Sequence, residues 1–151
     1  MTYRRLLSGF TFVVIAVLGV ARAQPSAQAG GSMMKAALSD EDYVKTMKQI
    51  APAFQSLQKN NTAMNYADAA KDAQKLEASF KEVQAYWEAK KIEDAIGFAK
   101  KAVAAAQDAS REAAAMSATG LADAQKALGG TCQGCHTAHR EKLADGSYRI
   151  K

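Results

Sequence analysis

The feature that most constrains the fold is the stretch after Pro52, which contains no further proline and is rich in alanine. Alanine accounts for 33 of the 151 residues and is the strongest helix former, whereas valine, isoleucine and threonine are too few for a large sheet. A β-sandwich needs many turns, so the composition argues strongly against that class of fold. A chain of 151 residues fits one domain. We therefore predict an all-α protein.

The N-terminus carries the pattern of an export signal. Arg4 and Arg5 precede an apolar run at residues 6–20, and the sequence Ala-Arg-Ala follows it at 21–23. A positive start, a run of 7–15 apolar residues and a site of small residues are typical of a secretory signal peptide. The run is shorter than the roughly 20 residues that a membrane span needs, although an uncleaved anchor stays open as the alternative. We predict a cleaved signal peptide at 1–23 and export to the bacterial periplasm.

Removal of this signal changes the charge and hence the expected partners. The whole chain has a formal net charge of +5, which by itself suggests a nucleic acid or membrane partner. Cleavage after Ala23 removes three arginines and leaves 17 Lys and Arg against 15 Asp and Glu, a net charge of +2. We therefore expect no nucleic acid partner, and membrane contact only through an uncleaved signal. Residues 24–38, which contain proline, glycines and small polar residues, are predicted to form a flexible N-terminal segment.

Four helices are predicted between residues 39 and 145 from apolar residues that recur at steps of three and four. Ser39 can accept a hydrogen bond from the amide of Asp42 at the start of the first helix, and Pro52 is expected to kink that helix. Gly120 is predicted to mark the break before the fourth helix, which should run from Leu121 to about Leu143. The apolar residues of each helix should form one buried stripe along its length. In the first helix this stripe is predicted to comprise Tyr43, Met47, Ile50, Phe54 and Leu57. That of the second comprises Tyr66, Ala69, Ala73, Leu76, Phe80, Val83 and Trp87, and that of the third is rich in alanine between Ile92 and Met116.

Short connections between helices of this length favour an antiparallel four-helix bundle. A coiled-coil dimer is the alternative, but the breaks between the helices argue against one continuous rod. A homodimer of bundles also stays open.

Residues 146–151 are predicted to be a C-terminal tail. Because alanine supplies little apolar area, a bulky group could usefully complete the core.

The chemical motif of the chain is Cys132-Gln133-Gly134-Cys135-His136. C-x-x-C-H is the attachment signature of c-type haem. Two cysteines three residues apart on a helical turn can form thioethers with the two vinyl groups of one porphyrin, and the adjacent histidine can then bind the iron. Gly134 would leave room for the macrocycle. The export signal strengthens this interpretation, because haem c is attached outside the cytoplasm. We predict one covalent haem c, held by Cys132 and Cys135, with His136 as the proximal iron ligand.

Two other interpretations of these residues stay open. Two cysteines in an exported protein commonly form a disulfide, but redox-active C-x-x-C disulfides belong to thioredoxin-like units, and no strands are predicted here. Zinc could use Cys132, Cys135, His136 and His139, but four donors so close together on one helix can hardly form a closed tetrahedron.

The chain resembles the class II cytochromes c, the cytochrome c′ group and its low-spin relatives, which are four-helix bundles with the C-x-x-C-H motif near the C-terminus. The resemblance covers about residues 38–145 and is strongest at residues 128–140, LGGTCQGCHTAHR. In that family an aromatic residue usually stands three positions after the haem histidine, followed by Arg or Lys. Here His139 replaces the aromatic residue, whereas Arg140 fits the basic position. Arg140 is expected to contact the haem propionates.

The sixth iron ligand decides between two functions. Low-spin members of the family take a methionine from the beginning of the first helix, and Met47 lies there on the predicted buried stripe. His139 is expected on the same side of the haem as His136 and is therefore excluded as the distal ligand. With Met47 bound, the resemblance implies an electron carrier that serves redox partner proteins. Without it, the resemblance implies a five-coordinate protein that binds small gases such as nitric oxide.

An enzyme is not expected, since the sequence offers no distal histidine for acid–base catalysis. Lys126 and Lys142, like Arg140, could pair with propionates or dock an acidic partner, or could simply lie on a solvated helix face.

Overall fold

The computed structural model describes residues 38–151, so the predicted signal peptide and all but the last residue of the predicted N-terminal segment lie outside the described residues. Four helices make up most of this part: α1 (Asp40–Thr62), α2 (Tyr66–Lys90), α3 (Glu93–Ala114) and α4 (Ala118–His139). The predicted four-helix bundle is thereby confirmed. None of these helices combines the length and the hydropathy that a membrane span needs.

The start of α1 follows the predicted capping pattern. The Ser39 hydroxyl accepts a hydrogen bond of 3.1 Å from the backbone N–H of Asp42, and the first turn carries three acidic residues. Negative charge at this end stabilises the helix, because the first backbone N–H groups have no partner within it. The helix continues through Pro52 to Thr62.

Each connection between helices contains a residue in the left-handed backbone region, at Met64, Lys91 and Met116. The left-handed residue terminates the preceding helix, and the next helix begins two positions later in each case. The predicted break at Gly120 is wrong, because α4 begins at Ala118. Gly120 lies in its first turn and donates its N–H to the hydroxyl of Ser117, the residue that caps the helix.

The predicted stripes form the core. Every predicted position of α2 except Tyr66 is buried, and so are the alanines of the predicted α3 stripe. The two ends of that stripe, Ile92 and Met116, are instead exposed and lie in the connections before and after α3, so the prediction was wrong for them. Of the five stripe residues of α1, three are buried, namely Tyr43, Ile50 and Leu57, and the other two, Met47 and Phe54, are only partly buried. The buried apolar residues of α4 are Leu121, Ala124 and Leu128. The interior of the bundle is thus built largely from alanine, with aromatic side chains concentrated on α2.

The helices pack unequally. Each is packed against its neighbour in sequence, but α1 and α4 are much less closely packed than any of these consecutive pairs. The first turn of α1 contacts the last turn of α2, where the Tyr86 hydroxyl donates to Asp40 over 2.9 Å. At the opposite end, Asn61 in the last turn of α1 donates to the carbonyl of Ala118 at the start of α4. The loose α1–α4 side is where space for a ligand remains.

The end of α4 differs from the prediction. The helix ends at His139 instead of about Leu143, because Arg140 adopts an extended backbone conformation with φ −124° and ψ 133°. Two short strands follow, β1 (Arg140–Lys142) and β2 (Tyr148–Ile150), which pair in antiparallel register. The expectation of no strands is therefore wrong, and residues of the predicted C-terminal tail form β2.

Candidate functional site

A cavity of about 610 Å³ opens beside the loosely packed helices α1 and α4. Its walls are predominantly apolar, and its volume lies within the roughly 300–1,000 Å³ that is usual for cofactor pockets. α1 and α4 supply most of the walls, and α2, α3 and the C-terminal hairpin of β1 and β2 complete them. The aromatic side chains at its surface are Tyr43, Phe54, Phe80, Phe98, His136, His139 and Tyr148.

Cys132, Cys135 and His136 all line this cavity from the C-terminal part of α4. Residues three and four apart lie on the same face of a helix, which explains why all three side chains reach one space. Both thiols are free and partly buried. The structure therefore brings the three predicted anchoring residues together.

The electrostatic environment of the cysteines differs from that of a redox-active thiol pair. Burial raises the pKa of the Cys132 thiol, and burial together with the nearby Cys132 and Asp94 raises the pKa of Cys135 to about 11. Redox-active C-x-x-C cysteines instead have a lowered pKa, commonly because they lie at the N-terminus of a helix. Here the cysteines lie towards the opposite end, where the helix dipole disfavours a thiolate. This environment does not support the thioredoxin-like interpretation.

The environment of His136 keeps its imidazole neutral. Burial lowers the pKa of this histidine, and the positive charge of Arg140 lowers it further. A neutral imidazole has a nitrogen lone pair that can bind a metal, whereas a protonated one has none. His136 therefore offers a free nitrogen lone pair to the cavity at neutral pH.

Met47 lines the same cavity from α1. It is partly buried against the core, as the predicted stripe requires. Met64 and Met116, by contrast, lie in the connections between helices with 71% and 70% of their surface exposed, and neither lines the cavity. Among the methionines of the described residues, Met47 is the one that shares a cavity with His136.

Gly134 lies against the ring of Phe98 on α3. A Cβ atom at this position would lie 2.7 Å from a ring carbon of Phe98, so a side chain here would force that ring to move. The glycine thus allows the ring of Phe98 on α3 to approach the backbone of α4, and that ring also lines the cavity. Sequence periodicity could not indicate this contact, because Phe98 lies off the alanine stripe of its helix.

His139 lies at the end of α4 with 14% of its side chain exposed. Its Nε2 is 2.9 Å from Oδ2 of Asp94, in an alignment too poor for a hydrogen bond, so the pair attracts only when the imidazole is protonated. Its ring packs at a tilt on Trp87, with the ring centroids 5.2 Å apart. Trp87 in turn packs edge-on against Tyr43, whose pKa is raised by burial.

Arg140 also lines the cavity, and its guanidinium carbon lies 3.9 Å from the centroid of the Tyr148 ring. Residues 147–150, which also form part of the wall, were not expected at the site. A second, smaller cavity of about 360 Å³ is lined by His136, Arg140, Lys142 and Tyr148, among others. Lys126 lines neither cavity.

Within the described part of the chain, no three His, Cys, Asp or Glu side chains are grouped as they would be around a metal ion. No protein-family model matches the sequence, and neither a curated protein nor a solved structure matches it.

Proposed function

We propose that the chain is an exported c-type cytochrome with one covalent haem that carries electrons in the periplasm. One observation carries this proposal: a single cavity is lined by Cys132, Cys135 and His136 on α4 and by Met47 on α1. These side chains offer two thiols, an imidazole and a thioether, which are the kinds of group that would anchor haem c and bind its iron.

The surroundings of these side chains fit a macrocycle. The cavity has the volume and the apolar walls that a large, flat, mostly apolar group requires. Contacts between the start of α1 and the end of α2, and between the end of α1 and the start of α4, support the antiparallel arrangement that the proposal includes. When bound, the haem supplies an iron that changes its oxidation state by one electron.

The residues of the chain then have separate roles. Cys132 and Cys135 fix the cofactor to one helix, so that it cannot be lost outside the cell. His136 offers a neutral nitrogen from that same helix, whereas Met47 offers a soft sulfur from the facing one, and a thioether ligand favours ferrous iron. The apolar walls limit the access of water, which reduces the reorganisation that accompanies electron transfer.

Covalent haem attachment is tested by expression with a c-type haem attachment system and purification of the mature chain. We expect the mass of the polypeptide plus one haem, and an absorption spectrum of haem c. The variant C132S/C135S should carry no covalent haem, whereas K101Q, on the exposed face of α3, should carry it as the unchanged chain does. A mature chain without haem would overturn the proposal.

The role of Met47 is tested with a matched pair of variants. Met47→Ala should convert a low-spin ferric spectrum into a high-spin one, while Met64→Ala, which removes an exposed methionine, should leave it low-spin. A high-spin spectrum in the unchanged chain would rule out Met47 as a ligand. It would favour the alternative function, a five-coordinate protein that binds gases such as nitric oxide.

A further inference from the structure

The C-terminal hairpin is docked on the bundle. Ile150 on β2 is partly buried against the core, and Ser147, Tyr148 and Arg149 line the large cavity with it. Beyond β2, the backbone N–H of Lys151 donates to the carbonyl of His139 over 3.0 Å. These contacts hold β2 against the last turn of α4, next to the haem-binding motif.

The pairing of the strands places Arg140 and Tyr148 on one face. Arg140 is opposite Ile150, and Lys142 is opposite Tyr148, so these four side chains share a face of the hairpin, while Glu141 and Arg149 share the other. On the first face the Arg140 guanidinium carbon lies 3.9 Å from the centroid of the Tyr148 ring, which is close cation–π geometry.

The two arginines of the hairpin differ in their partners. Arg149 forms an ion pair of 2.8 Å with Glu141. No acidic side chain of the described residues pairs with Arg140, although this arginine lines both cavities together with His136 and Tyr148. A guanidinium group binds carboxylates through two parallel hydrogen bonds, so Arg140 is available to an anionic group that enters the cavity.

We propose that the hairpin is a wall of the haem pocket, in which Tyr148 positions Arg140 to bind a carboxylate of the haem beside His136. This inference rests on the proposed function, since it requires a bound haem. Tyr148 is thus a positioning residue that acts through Arg140.

The electrostatic consequence is a higher reduction potential. A positive charge near the haem disfavours ferric iron relative to ferrous iron, because the ferric state carries one more positive charge. Pairing of Arg140 with a haem carboxylate also offsets a negative charge that would otherwise stabilise the ferric state. Loss or displacement of the guanidinium group should therefore lower the potential.

The test compares the midpoint potentials of the haem-loaded chain and four variants. R140Q should show a lower potential, and K101Q, which removes a distant exposed positive charge, should match the unchanged chain. Y148F keeps the aromatic face and should also match it. Y148L fills similar space without that face and should shift the potential down, by less than R140Q does.

Hydrogen exchange at the Lys151 amide checks that the hairpin stays docked in every variant. Protection of this amide together with a lowered potential in Y148L supports the inference. Equal midpoint potentials in Y148F and Y148L would overturn it. So would rapid hydrogen exchange of the Lys151 amide in the unchanged chain. Absence of covalent haem would instead overturn the proposed function, so the two failures are distinguishable.

Discussion

At the scale of single residues, the site combines partial burial with a position near the end of a helix. Both conditions disfavour the anionic thiolates of Cys132 and Cys135. Burial also disfavours the cationic form of His136. All three groups are therefore neutral at pH 7, which suits side chains that form covalent thioethers and bind iron better than it suits a dithiol redox centre.

Low reactivity of the thiols follows from this environment. In the haem-free chain at pH 7.5, we expect iodoacetamide to alkylate Cys135 at least ~10-fold more slowly than free cysteine, because the thiolate is the reactive form. Mass spectrometry of timed samples measures the rate. The same chain unfolded in urea should react at the rate of free cysteine, and rapid alkylation of the folded chain would contradict the neutral thiols described above.

The lowered pKa of His136 predicts how stability depends on pH. As the pH falls through about 6.5, the ordinary value for histidine, the unfolded chain binds a proton that the folded chain does not. The free energy of unfolding of the haem-free chain should therefore decrease over this range. Urea denaturation at several pH values measures it. His136→Gln should remove this contribution, whereas His139→Gln should retain it.

The residues of the C-x-x-C-H motif were predictable because their spacing in the sequence is itself the signature of haem c attachment. Met47 was predictable because it falls on the apolar stripe of α1. That Phe98 and Tyr148 line the cavity could not be predicted from the sequence in the same way. Phe98 reaches the cavity because Gly134 on another helix lets its ring approach, and that contact has no signal within either segment alone. Tyr148 reaches it only through the pairing of two strands.

At the scale of elements, the helices were predicted well because each stripe follows the helical period over several turns. Their ends were less predictable. Met116 ends α3 in the left-handed conformation that glycine usually supplies, so the Gly120 signal pointed to the wrong residue. The hairpin had a signal in the dipeptide Asp145-Gly146, which is typical of tight turns. Gly146 has φ +83°, and Asp145 accepts a hydrogen bond from the Ser147 amide.

Relief of backbone strain at Met116 should stabilise the bundle. Met116→Gly places a residue without a Cβ atom in the left-handed region, and little burial is lost because the side chain is 70% exposed. We expect a gain of about 0.5–1 kcal/mol in the free energy of unfolding, measured by urea denaturation. Ala115→Gly is the control, since Ala115 has an ordinary right-handed conformation and should give no gain.

At the scale of the whole molecule, the bundle is stabilised unevenly. Closely packed α2 and α3 carry most of the buried aromatic and alanine residues, whereas α1 and α4 border a cavity of about 610 Å³. Apolar walls around open space lose the contacts that a filled core provides. A cofactor in this cavity would therefore serve the stability of the fold as well as its chemistry.

Removal of the haem should accordingly cost stability while leaving the helices formed. C132S/C135S, produced without haem, should unfold with a free energy at least ~3 kcal/mol lower than that of the haem-loaded chain, which is the scale of removing one large buried side chain. Circular dichroism during thermal and urea denaturation measures both helicity and stability. Equal stability of the two forms would show that the haem does not complete the core.

The loose pairing of α1 and α4 also bears on the order in which the molecule assembles. Consecutive helices need only short-range loop closure to meet, whereas α1 and α4 are joined through two intervening helices, and closing this longer loop costs more entropy. The walls that hold Met47 and His136 can meet only after the last helix has been synthesised. We therefore expect the pocket to form late in folding, and deletion of α1 or α4 to abolish it before it disrupts the packing of α2 on α3.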